Sequence, residues 1–141
     1  LHSAHMSKPF HRIVGTNGFL SWGDDQQEIV WNVLPSHPIA SGIPEYFQLD
    51  LEEMYGEPFF IPQPDELVFM SWYKHGNVFR SGCCFYRGLG KVFYFQPGHE
   101  LCHSFHNQYV RKILVNAVRW AAPCELGVPV GHCAYKEKIV E

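Results

Sequence analysis

The sequence predicts an α/β fold built on a sheet, and three observations carry that expectation. Segments of strand character outnumber those of helical character. One segment near the C-terminal end is strongly amphipathic, and its single apolar stripe needs a sheet face to cover. The aromatic runs between positions 67 and 95 read as buried on both faces, which suits the centre of an α/β sheet. Too few helices accompany those runs to cover both faces.

The elements follow in order. Ser7 to Val14 reads as a short helix, with Ser7 at the N-cap, Pro9 in the first turn and Gly15 as the stop. Gly18 to Gln27 is polar and reads as a loop. Glu28 to Leu34 is β-rich and closes at Pro35. His37 to Phe47 carries several turn residues and reads as a connection. Phe47, Leu49 and Leu51 alternate with Gln48 and Asp50, the period of a half-buried strand, which delivers the chain to a turn, EEMYGEP, at Glu52 to Pro58. A meander follows: Leu67 to Tyr73, a turn at His75-Gly76-Asn77, Val78 to Tyr86, a turn at Arg87 to Gly90, and Lys91 to Phe95. The last helix takes Asn107 as its N-cap. Val110, Ile113, Leu114, Ala117, Val118 and Ala121 form its stripe, and Pro123 ends it. Positions 124–141 lack periodicity and read as a tail after the domain portion at 1–123.

Composition excludes several functions. A chain of 141 residues that is 46% hydrophobic and 18% charged has the make-up of one globular domain with its own core. A net charge of −3 offers no basic face for nucleic acid. No apolar run reaches transmembrane length, so no membrane partner is expected. The five cysteines are odd in number and form no C-x-x-C pair, which points to reduced thiols, small buried side chains and a cytoplasmic location rather than a disulfide scaffold.

The chemistry-bearing stretches are short. LHSAH opens the chain with two histidines around a serine. Glu52, Glu53 and Glu57 cluster after an alternating strand, where a solvated acidic turn is the ordinary outcome. PGHE follows an apolar strand, so His99 and Glu100 should emerge at a strand end, with Gly98 allowing a tight exit.

The ordered set LHSAH, HPIASGI, EEMYGEPF, FRSG, GKVFYFQPGHE and VNAVRWAAP resembles the ThuA-like, or trehalose-utilisation, family from Leu1 to about Pro123. That resemblance implies a flavodoxin-like fold of the class I glutamine amidotransferase type, a three-layer sandwich whose sheet carries helices on both faces. It implies as well that this chain is the C-terminal part of the domain, with the first βα units missing from it. LHSAH would then sit at the end of an interior strand, where open α/β sheets bind their ligands, with a helix N-terminus behind it.

The resemblance also assigns residues. His2, Glu53 and His99 would be catalytic. Ser3, Tyr55 and Glu100 would contact substrate, and the sequence adds Arg80 as a side chain able to reach sugar hydroxyls. In related amidotransferases a cysteine nucleophile occupies the turn; here Ser3 stands in that neighbourhood, so amide transfer is not expected. Ser3 is either a weak nucleophile or a serine that satisfies backbone groups. His103 and His106 receive no role. Trp72, Tyr73, Tyr55 and Tyr86 either stack against sugar rings or belong to the sheet core.

Two chemistries remain open for the set. In one, His2, His5 and His99, with oxygen from Glu53, hold a divalent ion such as zinc. In the other, His99 and Glu53 act as base and acid on a sugar hydroxyl or neighbouring carbonyl while His2 orients the substrate. No nucleotide cofactor is expected. The implied substrate is trehalose-related or an oxidised, keto, disaccharide, and the alternative is a sugar-binding or sensing domain without catalysis. Open strand edges leave room for a homo-oligomer.

Overall fold

The computed structural model describes residues 21–57 and 63–123. The helix expected at Ser7 to Val14, the LHSAH stretch and the tail from position 124 lie outside them. Strands β1 (Ser21–Asn32), β2 (Tyr46–Gly56), β3 (Glu66–Tyr73), β4 (Val78–Arg87) and β5 (Gly90–Phe95) form one sheet in the order β2-β1-β3-β4-β5. A 3-10 turn covers Pro38–Ala40, another covers Ser104–His106, and helix α1 spans Gln108–Ala121.

Every neighbouring pair in this sheet is antiparallel. The described residues are thus a mixed α/β unit, and the parallel sheet with helices on both faces is not what they form. The connections explain this. Tyr73 to Val78 and Arg87 to Gly90 are too short for a crossover, which needs a dozen or more residues. Gly76 (φ 84°) and Gly88 (φ 61°) take the left-handed turn positions that close these hairpins.

Two expected loops are strand. The polar stretch before Glu28 begins β1 at Ser21, where Trp22 pairs with Tyr55 and Ser21 with Gly56. Pairing with β2 overrides the weak propensity of the Asp and Gln residues. Register shifts between Gly23 and Gln26 and between Gln26 and Glu28 absorb the misfit. Likewise β2 does not stop at Leu51 but runs through the acidic cluster to Gly56.

Two apolar clusters bury the sheet. One joins Val30, Phe47, Leu49, Val68, Phe69 and Cys84 to Val110, Ile113 and Ala117 of α1. The other gathers Tyr55, Tyr73, Phe79, Cys83, Phe85 and Tyr94. Tyr55 and Tyr73 are therefore core residues, while Trp72 and Tyr86 keep 43% and 45% of their surface.

Helix α1 starts where expected: the Asn107 side chain accepts from Tyr109 N at 2.8 Å and Val110 N at 3.3 Å. Its packed stripe runs Val110, Ile113, Leu114, Ala117 and Trp120. Val118 and Ala121 face solvent instead. The ring of Trp120, one turn beyond Ala117 on the same face and not part of the expected stripe, contacts those of His37 and Tyr86. Among the described residues no helix is long and apolar enough to cross a membrane.

Candidate functional site

The site starts on β2. Phe47 and Leu49 are buried and Gln48 and Asp50 exposed, but the expected alternation breaks at Leu51, which is exposed, and both Glu52 and Glu53 are buried. The break lies opposite the irregular stretch of β1, since Gln26 pairs with Glu52 between the two register shifts. A bulge lets adjacent residues of a strand depart from strict two-face alternation. This arrangement turns an apparent surface turn into two inward-facing carboxylates.

Each carboxylate has its own company. Glu52 Oε1 accepts from the backbone N–H of Glu53 at 3.1 Å and of His99 at 3.0 Å. Its Oε2 accepts from Gly98 N at 3.0 Å and from the Ser104 hydroxyl. Glu53 Oε2 accepts from the Tyr55 hydroxyl at 2.6 Å. Burial and the Glu53 carboxylate both push the Tyr55 phenol upward, so it stays a donor. Gln96 ties the rear of this strand in place: its Nε2 donates to Glu53 O at 2.7 Å, and its Oε1 accepts from Tyr73 Oη at 2.9 Å.

His99 arrives from the other side. Past the end of β5, Gly98 adopts φ 134°, and a Cβ there would lie 2.6 Å from the Phe105 ring. Only glycine makes this exit. The His99 ring is 13% exposed, and its Nε2 lies 3.8 Å from Glu100 Oε2 at the rim. Its Nδ1 accepts from Leu101 N at 3.3 Å and contacts Cys102 Sγ at 4.0 Å. Accepting at Nδ1 puts the proton of the neutral ring on Nε2.

A third wall comes from the irregular part of β1. Asp25 takes a left-handed conformation (φ 56°) unusual outside glycine, and Asp24 precedes it. Asp24, Asp25, Glu53, His99, Leu101 and Cys102 line a cavity of about 130 Å³. One donor atom each from Asp24, Glu53 and His99 lie within 4.8 Å of one another. Burial, with the carboxylates of Glu52, Asp25, Glu53 and Asp24, pushes the Cys102 thiol up to about 11, so it is a neutral thiol at physiological pH.

The structure thus brings Glu53 and His99 together, with Tyr55 bonded to the first and Glu100 beside the second. Arg80 is elsewhere. Its guanidinium binds Glu57 at 2.8 and 3.2 Å and lines a separate open cleft with Gln63, Pro64, Asp65 and Leu67. His2, Ser3 and His5 lie outside the described residues. Sequence reasoning missed Asp24, Asp25 and Cys102, and gave Glu52 no role of its own. The paired acids directly after an alternating strand were the available signal for Glu52, because continued alternation would turn one of them inward. Asp24 carried no local signal, since only pairing between β1 and β2 places it here.

A second convergence joins His37, Glu66 and Cys84. There His37 Nδ1 accepts from Ile39 N at 3.1 Å, which caps the first 3-10 turn and leaves Nε2–H facing Glu66 at 3.4 Å. This histidine is a cap that donates to a carboxylate. Burial pushes both Cys83 and Cys84 up to about 12.

Comparison with known proteins agrees with this architecture. A ThuA-like protein from Parabacteroides merdae ATCC 43184 superposes with a TM-score of 0.58 at 13% identity, covering 72% of this chain and 40% of that one. A ThuA-like protein from Bacteroides uniformis ATCC 8492 gives 0.57 at 20% identity, covering 85% of this chain and 53% of that one. The chain therefore spans about half the length of these structures or less. No curated protein matches it. The family model for ThuA, trehalose utilisation, matches residues 1–121, nearly everything the sheet, the cavity and the helix are built from. By that match the chain belongs to the ThuA family.

Proposed function

We propose that the chain serves carbohydrate utilisation and that its cavity is an acid–base site acting on trehalose-related or oxidised, keto, disaccharides. Membership of a trehalose-utilisation family supports the substrate class. The observation that carries the chemistry is the convergence of Glu53, Asp24 and His99 from three separate segments onto one small cavity. Paired carboxylates beside an imidazole give a proton acceptor and a proton donor within reach of one sugar hydroxyl. With its proton on Nε2, His99 is the donor, and the Glu53 carboxylate is the acceptor. These roles reverse the assignment the sequence suggested. Tyr55 orients Glu53 through its hydroxyl.

A divalent ion is the second reading, favoured by the same three donor atoms within 4.8 Å. Ligation through Nε2 would require the ring proton on Nδ1, where Leu101 N–H already points. That conflict ranks the acid–base reading first. The proposal extends to a cytoplasmic protein whose antiparallel sheet is one part of a larger three-layer, flavodoxin-like domain and whose strand β2, at the sheet edge among the described residues, suits a homo-oligomer.

The test incubates the full chain with trehalose and with keto-disaccharides and follows the sugars by NMR. Conversion by the parent, reduced about 100-fold or more in Glu53→Gln and His99→Gln, supports the reading. Binding without any conversion makes the cavity a sensor. Metal analysis of the purified protein decides the second reading: stoichiometric zinc, lost in Glu53→Gln, would replace acid–base chemistry with ligation.

A further inference from the structure

We propose that Glu52 is the positioning residue of this site, an acceptor-only carboxylate that fixes Glu53 and His99 relative to each other. The inference rests on the reading of Glu53 and His99 as the working pair, and it concerns a residue that touches neither substrate nor reacting atoms.

The argument is geometric. A single oxygen, Glu52 Oε1, accepts from the backbone N–H of both Glu53 and His99, at 3.1 and 3.0 Å. Those two residues are far apart in sequence, and one atom ties their main chains together. The other oxygen accepts from Gly98 N at 3.0 Å and from Ser104 Oγ, so it holds the loop on both sides of His99. The carboxylate is fully buried. A buried carboxylate is tolerated when every lone pair meets a donor, and three of the four donors are backbone N–H groups that cannot reverse their role. As placed, the carboxylate accepts from all four. An amide in its place would turn one acceptor into a donor facing Gly98 N–H or His99 N–H.

A filler residue would need apolar neighbours. Glu52 instead spends its whole hydrogen-bonding capacity on the segment that carries His99 and on the backbone of Glu53. Gly98, with its required φ of 134°, lets the chain turn back so that two consecutive N–H groups reach the same carboxylate.

The test needs no substrate, so a parent protein inert toward every sugar would sink the proposed reaction and leave this inference standing. The full chain and its Glu52→Gln variant are compared by 15N NMR. In the parent the His99 ring should show the Nε2–H tautomer, and the Gly98 and His99 amides should exchange slowly. In the variant, amide exchange at 98 and 99 should accelerate about 10-fold or more, and the two ring nitrogen shifts should converge as the ring samples both tautomers. A folded variant with unchanged His99 ring shifts and unchanged exchange would overturn the proposal, even if its melting temperature fell. Should Glu52→Gln fail to fold, Ser104→Ala removes one donor and leaves the other three. It should shift the Gly98 amide and speed its exchange about threefold, and an unaltered Gly98 amide would overturn the proposal equally.

Discussion

Ser71 on β3 donates its hydroxyl to the Glu28 carboxyl on β1, and both side chains are buried. The pair sits across the centre of the sheet, where Glu28 is the register partner of Tyr73 and Ser71 that of Val30. Burial, reinforced by the charge of Glu52, pushes the Glu28 carboxyl from an ordinary 4.5 up to about 8. The hydrogen bond from Ser71 opposes that shift only in part. Glu28 is accordingly a neutral acid at neutral pH.

This makes stability depend on pH with a definite sign. Between about 4.5 and 8 the folded chain keeps a proton that the unfolded chain has released. The contribution of Glu28 is therefore most favourable below 4.5 and falls as pH rises toward 8. Melting curves of the parent and of Glu28→Gln at pH 5, 6.5 and 8 should converge or cross, with the parent losing ground as pH rises. Parallel curves would refute a buried neutral Glu28.

Gly98→Ala should cost more than Gly88→Ala. Both positions have positive φ, but at Gly98 the added carbon meets the Phe105 ring at 2.6 Å, whereas at Gly88 nothing lies within 4 Å. The loss at Gly88 should be about 1 kcal/mol, and at Gly98 roughly 2–4 kcal/mol once the clash is added. Chemical denaturation measures both, and equal losses would mean that the Phe105 ring simply moves aside.

Asn107→Ala should destabilise the chain by about 1 kcal/mol, lowering the melting temperature by a few degrees. The Asn107 oxygen satisfies two otherwise unpaired N–H groups at the start of α1. Asn107→Asp should retain most of that stability. An alanine variant that melts with the parent would show that water replaces the cap.

Arg80→Ala separates the two clefts. The guanidinium binds Glu57 with two contacts while half-buried, and Arg80 lines a cleft other than the one that holds Glu53 and His99. Its loss should lower stability by roughly 1 kcal/mol and leave sugar conversion within about twofold of the parent. A large fall in conversion at unchanged stability would bring Arg80 back as a substrate contact.

The local elements were legible where side-chain period and turn chemistry act alone. The β3–β4–β5 meander was readable because aromatic runs alternate with His75-Gly76-Asn77 and Arg87 to Gly90, and the hairpins follow from those turns. Helix α1 was readable from Asn107 and its stripe. The stripe's edge was misjudged at Val118 because the packed face is centred on the row Val110, Ile113, Ala117 and Trp120, which turns Val118 to solvent. Ser21 to Gln27 was missed as strand, since Asp and Gln have little strand propensity and only pairing with β2 recruits them.

By itself the sequence determined the mixed α/β character, the place of each hairpin, the family, and the pairing of Glu53 and His99 as residues of interest. The tertiary structure decided the antiparallel order of the sheet, the inward turn of both Glu52 and Glu53, the arrival of Asp24 and Cys102 at the cavity and the removal of Arg80 from it. The physical reason is range. Propensity, capping and turn geometry act over a few residues and can be read along the chain. Bulge register and buried carboxylate partners are set by strands and loops tens of residues apart, and they come into being only when β1 pairs with β2 and the loop after β5 folds over Glu52.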